Sequence, residues 1–558
     1  LVFEGNFDKI YEGGRIRMGN TAIKEFDLLC TSRKSFQERA EGLIKLLGGV
    51  LKIEKVAESK GDDLCFYVMD MSNYRMKVSS RTLLVIPNPA VCREGIAIEG
   101  IIDKIKETIN RGIPEERLRG YPENFREQIT FLFCLGDGRI FRPLYQDPLY
   151  NIFVLGKEGL SKLIGAESPR EVFIETIKEH LSISKMSPYR FLGPVGEEMF
   201  YGRKREIDSI LGSEKDFAVV GSRGTGKTSF LEHLYRITNK GFIAKEKEKG
   251  GSPIVHYSCL GISDDAPVTE GIIKRINIKE IGRWERGRFS LRDFFRRMYR
   301  WHGCKLILFL DEVDDLVAST QGKLFFSEIR AASDQGYLRV VISGYKQLFA
   351  DVFDKKTTFY NFLEPLRLKE LEREAAKRLI LEPMKELGIS FKEEKRIVDY
   401  LLEQSGCYPR IIQFYCQHLI EHIEEKGRDV ITIDDVYAVE ESEDIVNHLV
   451  DVFMETVTEI EQLLVYLALG LPKRFRTEEL HQRLNQRLES KGLSAKLKRV
   501  EKEIRHLELS NIFERRGNEL WFSYQILPQL LRRYYDIDYR IDELIGDEDI
   551  ISILKGYF

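Results

Sequence analysis

The residues best suited to chemistry form one continuous run, Gly221-Ser222-Arg223-Gly224-Thr225-Gly226-Lys227-Thr228-Ser229, set between an apolar stretch and a helical pattern. Glycine at 221, 224 and 226 lets the backbone wind tightly enough for successive amides of Ser222 to Lys227 to converge on one anion, and the positive end of the following helix adds to them. Lys227 would reach the β- and γ-phosphates of a nucleoside triphosphate, and the Thr228 hydroxyl would hold Mg²⁺. Further along, Asp311-Glu312 ends the apolar stretch Leu306 to Leu310. Asp311 would bind the metal through water, while Glu312 would orient and deprotonate the attacking water, the extra step that hydrolysis needs beyond binding. Ser343 ends the next apolar stretch, "LRVVIS", where a hydroxyl would meet the γ-phosphate or that water.

These groups need a scaffold that brings strand ends together. An uninterrupted apolar strand such as "LILFL" is expected inside a parallel sheet covered on both faces, and ligands bind at the carboxyl ends of such strands. The spacing therefore predicts an α/β phosphate-loop NTPase core, a parallel sheet between helices, over 186–365. Almost wholly helical periodicity follows over 366–445. The segment 446–535 reads as three helices and a hairpin, "IFERRGNELWFS" with a Gly-Asn turn, and an acidic tail occupies 536–558. Residues 1–185 alternate helical and strand patterns as a separate small α/β domain, ended by the Pro/Gly-rich connector "SKMSPYRFLGPVGEEMFYG".

Composition limits the partners. The 558 residues carry 86 Lys and Arg against 89 Asp and Glu, a net charge of −3, so no polyanion-binding character belongs to the molecule as a whole and any such site is local. Eight cysteines stand singly, without the paired spacing of a zinc site or redox dithiol, as expected of thiols in a reducing cytoplasm. No apolar run is long enough to span a membrane, and no basic-then-apolar leader opens the chain, which begins with Leu.

Together, "PYRFLGPVGEEMFYGRKREI", "GSRGTGKTS", "LILFLDEVDD", "VVISG" and "SGCYPRIIQFYCQHLI" resemble the signal-transduction ATPases with numerous domains, the STAND class, over 186–535. The resemblance implies ATP as ligand, slow hydrolysis, and nucleotide state used as a switch of conformation or assembly. It places Gly202 and Arg203 near the base, and Gly406 and Pro409 of the helical lid near the adenine or its phosphates. Arg410 follows that proline and is the candidate to act in cis on the γ-phosphate. From Lys346 to Leu366 there is no arginine, so the trans-acting finger of ring-forming ATPases has no counterpart there.

STAND chains often carry a winged helix-turn-helix after the lid, and 446–535 is similar to one. Between Lys473 and Arg516 lie 13 Lys and Arg against 7 Asp and Glu. If this element meets duplex DNA, Lys496, Lys498, Arg499, Arg505, Arg515 and Arg516 would carry the contact; otherwise it docks on the ATPase core as a regulatory element. The first domain resembles a degenerate restriction-endonuclease-like core. Glu38 and Asp63 are its candidate acids, but Val85-Ile86-Pro87 stands where a metal-holding Glu-x-Lys belongs. The basic, aromatic run Arg283 to Lys305 reads as an amphipathic helix against the sheet. The expected function is a Mg²⁺-dependent ATPase switch with self-association or a protein partner; an ATP-regulated DNA-binding factor, or a nuclease, is the alternative.

Overall fold

The structure, a computed structural model, describes residues 15–31, 35–48, 51–55, 64–70, 81–89, 98–111, 130–145, 152–178, 182–190, 193–243, 254–276, 290–442, 449–450, 453–454 and 457–546. Asp63 and the tail beyond 546 lie outside them. The chain divides into two compact units, Leu1–Pro188 and Tyr189–Phe558.

The first unit holds a mixed sheet in the order β1 (Lys52–Lys55), β2 (Leu64–Asp70), β3 (Arg81–Pro87), β4 (Thr130–Phe133), β5 (Ile152–Leu155). The first three strands are antiparallel and the last two run parallel to β3. Leu83 and Val85 of β3 and Leu132 of β4 meet Ile101 and Ile105 of helix Ile98–Arg111 in its core. Glu38 is spent locally: with Ser35 it forms a capping box that starts helix Phe36–Leu47, its carboxylate accepting from the Ser35 amide at 2.9 Å.

The second unit begins with a five-stranded sheet, all parallel, in the order β10 (Leu363–Arg367), β6 (Asp216–Val220), β9 (Leu338–Gly344), β8 (Leu306–Asp311), β7 (Ile254–Ser258). Alternate residues serve opposite faces: Ala218, Leu308, Val340 and Ile342 enter one cluster, Phe217, Val219, Phe309 and Val341 the other. Helices cover both, so the strands read as continuous apolar runs. The strand order in the sheet places β9 between the strand that precedes the glycine loop and the strand that carries Asp311.

After β10 come four helices, Arg373–Glu386, Glu394–Ser405, Pro409–Glu425 and Ile433–Glu440. They form the almost wholly helical lid that periodicity predicts, with one addition: a short parallel pair, β11 (Ser390–Phe391) with β12 (Val430–Ile431), ties the second helix's approach to the third helix's exit. Strands this short have no readable alternation. Helices Glu459–Ala468, Thr477–Leu488 and Leu497–Leu509 follow, with a three-stranded sheet ordered β13 (Phe475–Arg476), β15 (Glu519–Phe522), β14 (Phe513–Arg516). Among the described residues no helix is long and apolar enough to cross a membrane, and the seven described cysteines are free thiols.

Candidate functional site

β6 ends at Val220 and the next helix begins at Lys227, so the glycine loop turns directly off the carboxyl edge of the sheet. Gly224 and Gly226 hold φ of 81° and 85°, where a side chain is strained, and a Cβ at Gly224 would also lie 2.8 Å from Arg410 Cδ. Thr225 Oγ1 donates to the Ser222 carbonyl at 2.9 Å, closing the loop on itself. Lys227 Nζ is folded back, donating to the carbonyls of Gly221 at 2.8 Å and Ser222 at 3.0 Å, with the Tyr345 ring 5.9 Å away. Burial pulls its ammonium below the ordinary lysine value, opposed by Asp311, Asp314 and Glu312.

The carboxylates stand opposite. Asp311 is 1% exposed at the end of β8 and its Oδ1 accepts from Ser343 Oγ on the neighbouring β9. The same hydroxyl accepts from the Glu312 amide at 3.2 Å. Ser343 thus reaches the site through Asp311 and Glu312, as a positioning group. Glu312 sits at φ 53°, a left-handed conformation that non-glycine residues adopt at a cost. Burial and the neighbouring Asp311 push its carboxyl above the ordinary glutamate value, the direction that makes a carboxylate a better base. Asp314 accepts from the amides of Tyr345, Gln347 and Leu348 at 2.6, 3.0 and 3.2 Å, fixing the turn after β9 to the Asp311 strand.

The remaining predicted residues surround this centre. Ser229 Oγ accepts from the Val195 amide at 3.1 Å, and Thr228 lies half-buried at the start of the helix. Arg223 is exposed at the tip of the loop. Pro409 opens the third lid helix, its ring 4.0 Å from where a Cβ on Gly226 would stand. Arg203 is buried with φ 65°, and its guanidinium donates to the carbonyls of Lys369 at 2.6 Å, Thr225 at 3.1 Å and Glu370 at 3.2 Å. It clasps the glycine loop to the β10 exit, and these donors are committed to main chain. Gly202, at φ 73°, lies against Ala375 of the lid, and Gly406, at φ 56°, faces the Ser523 carbonyl.

Docking of the C-terminal element on the core was one of the two readings from sequence, but the residues that cover the loop were missed. Asn511, 2% exposed, donates from Nδ2 to Ser222 Oγ at 2.6 Å across 289 residues of chain. Arg367, at the end of β10, donates to the Glu508 carbonyl and to Asn511 Oδ1. Tyr345 and Ser510 share a hydroxyl hydrogen bond. Lys346 Nζ meets the fully buried Glu461 at 2.8 Å, and His506 Nδ1 lies 3.2 Å from Glu461 and 3.5 Å from Glu503. Those carboxylates raise the His506 imidazole to about 9. Between Ser222, Gly224, Tyr408, Arg410, Ser510 and Tyr524 only about 20 Å³ remains. The signal was an Asn at a helix end, at φ 57°, which by itself reads as an ordinary left-handed C-cap. One expected DNA contact is corrected here: Arg515 pairs with Glu501 at 2.8 Å and with Glu508, so its charge is spent within the fold.

The family model described as novel STAND NTPase 1 matches residues 188–511. No curated protein matches the chain. Solved structures that it is similar to include a Walker-type ATPase of Pyrococcus abyssi, at 15% identity and a TM-score of 0.45, covering 62% of this chain and 99% of that one. The ORC2 protein of Aeropyrum pernix is 16% identical with a TM-score of 0.44, over 63% of this chain and 95% of that one. The RuvB Holliday junction branch migration motor of Thermotoga maritima is 14% identical with a TM-score of 0.32, over 62% and 99%.

Proposed function

Since the chain belongs to the novel STAND NTPase 1 family, whose model spans more than half of it, we propose that it is an ATP-hydrolysing switch whose C-terminal helices act as a brake seated on the phosphate loop. The observation that carries this reading is the 2.6 Å hydrogen bond from Asn511 to Ser222, a tie made to the loop itself. In the braked state Lys227 is satisfied by two loop carbonyls and Ser222 by Asn511. Phosphate binding requires Lys227 to leave those carbonyls, which loosens the surface on which Asn511 rests. Nucleotide and docked helices then compete for one loop, and by linkage each weakens the other.

The donors present suit a small divalent cation. Asp311 and Thr228 offer hard oxygen ligands of the kind Mg²⁺ takes, and would hold it beside the phosphates. When bound, such an ion neutralises charge on the β- and γ-oxygens. Glu312 accepts the proton of the attacking water through its carboxylate, its backbone amide being held at the strand end by Ser343. Ser343 and Asp314 keep that geometry, while Lys227 and the loop amides stabilise the phosphate charge. Arg410, lying over Gly224, is positioned to report on the loop from the lid side. Release of the brake would expose the surfaces now buried around Ser510 and Glu461, and self-association or a protein partner would follow. The test is the mass of the full chain in solution with and without ATP, for the parent and for Lys227→Ala. An ATP-dependent change in shape or mass confined to the parent supports the reading; identical behaviour of both refutes it.

A further inference from the structure

Helix Leu291–His302 is used on one face only. Leu291, Phe294, Phe295, Met298 and His302 are buried, the first four within the larger core cluster of the parallel sheet. This agrees with the amphipathic reading of the basic run. The opposite face is exposed and carries the row Arg292, Arg296 and Arg300, with Tyr299 exposed on one flank and Trp301 on the other. Asp293 is the helix's one acid and pairs with Arg296 at 3.0 Å. Lys305, just beyond, is paired with Glu214 at 3.0 Å and adds little.

We propose that this face binds single-stranded nucleic acid, with phosphates on the arginines and bases against the two rings. Arg292, Arg296 and Arg300 recur every four residues, so their Cα atoms climb the helix in steps of about 6 Å while drifting about 40° around it. A row of cations at regular steps fits a repeating anion, where a single phosphate or carboxylate would need convergent donors. Guanidinium groups are the side chains best matched to phosphate oxygens.

The aromatic residues choose among polyanions. Tyr299 and Trp301 are 37% and 38% exposed, and the Tyr299 ring is steadied by Tyr337 at 5.5 Å between centroids. Rings exposed on either flank of a row of cations offer stacking surfaces for unpaired bases, which a duplex hides within its own stack. An acidic peptide would satisfy the arginines and leave the rings unused. This surface is distinct from the basic third helix of the C-terminal region, and it would give the switch a polymeric ligand in addition to its nucleotide.

The probe is a fluorescein-labelled oligothymidylate of about 20 nucleotides, long enough for one such platform, titrated with the full-length protein and read by anisotropy. Three to four phosphate contacts predict that log affinity falls with log salt at a slope of about −2 to −3. The pair Arg296→Glu and Arg300→Glu should weaken binding at least tenfold, and Trp301→Ala about fivefold or more. Lys498→Glu with Arg499→Glu should leave it unchanged, and a duplex of the same length should bind more weakly. All of these positions are exposed, and matching thermal melts verify that the variants fold. Absence of binding at low salt, indifference to the Arg296 and Arg300 reversals, loss of binding on reversing Lys498 and Arg499, or tighter Trp301-dependent binding to anionic phospholipid vesicles would each overturn the assignment.

Discussion

Replacing Asn511 isolates the brake from the site it covers. Asn511 occupies φ 57°, so Asn511→Gly preserves the backbone without strain, whereas Asn511→Ala would add a steric cost unrelated to the hydrogen bond. The glycine variant deletes the 2.6 Å donor to Ser222 and the Asn511 Oδ1 acceptor that Arg367 shares at 3.4 Å. A buried neutral hydrogen bond contributes about 1 kcal/mol net, and stranding the Ser222 hydroxyl in the docked state adds about as much again. Docking should therefore weaken by about 1–2 kcal/mol, a factor of roughly 5–30 in the population of the released state. Because apparent affinity scales with the competent fraction, ATP should bind by up to that factor more tightly. Titration of a fluorescent ATP analogue into parent and variant measures it directly. An unchanged dissociation constant would show that the docked helices do not compete with nucleotide. Weaker binding would mean that Asn511 helps to hold the nucleotide, and the brake would have to be abandoned.

Lys227→Ala should abolish nucleotide binding, whereas Glu312→Gln should bind and fail to turn over; parent-like hydrolysis by the Gln variant would remove Glu312 from the mechanism. Because the folded protein raises the Glu312 pKa, the ionised carboxylate costs stability once pH exceeds its ordinary value of 4.5. Glu312→Gln should accordingly raise the melting temperature more at pH 8 than at pH 5. His506 acts through a favourable charge instead: raised from 6.5 to about 9 by Glu461 and Glu503 of its own C-terminal region, it stabilises that region fully below pH 6.5 and loses that support as pH rises through about 9. The melting temperature of the parent should therefore fall across that window, a trend that His506→Gln should flatten. Arg203→Lys keeps the charge but cannot reach three carbonyls, and a calorimetric melt should show a loss of about 2–4 kcal/mol. If the C-terminal region binds duplex DNA, reversing Lys498 and Arg499 to Glu should weaken binding to every sequence alike, since phosphate contacts carry no base information.

The glycine loop, Asp311 and Glu312 were legible because phosphate chemistry restricts both residue type and spacing, and because a strand buried on two faces leaves an unbroken apolar run. Ser343 was found at the right strand end, yet its actual targets, Asp311 and the Glu312 amide, depend on β9 lying beside β8, which linear spacing does not encode. Arg203 was expected near a base, and its three carbonyl acceptors become visible only when residues 225, 369 and 370 are brought together. Asn511 and Glu461 were opaque for a similar reason. One looks like a helix cap and the other, at the third position after Thr458, like half of a capping box, which it also is. Local roles concealed their distant ones. Arg515 errs in the other direction: a charge counted as available to solvent is neutralised by Glu501 and Glu508.

The segment leading into the core has a mechanical meaning. Tyr189 is anchored by its hydroxyl to the carbonyls of Leu379 and Ile380, and the Arg190 amide to Gln413, on two different lid helices. A few residues later Val195 holds Ser229 and Arg203 holds Thr225. This stretch is therefore a strap, stitched first to the lid and then to the middle and the carboxyl end of the phosphate loop. Tension transmitted along the backbone from residues before 189 would load those stitches before any strand of the sheet. A pull at the amino-terminal side would act on lid and loop together, so force alone could alter the grip on a nucleotide without any ligand touching the pocket.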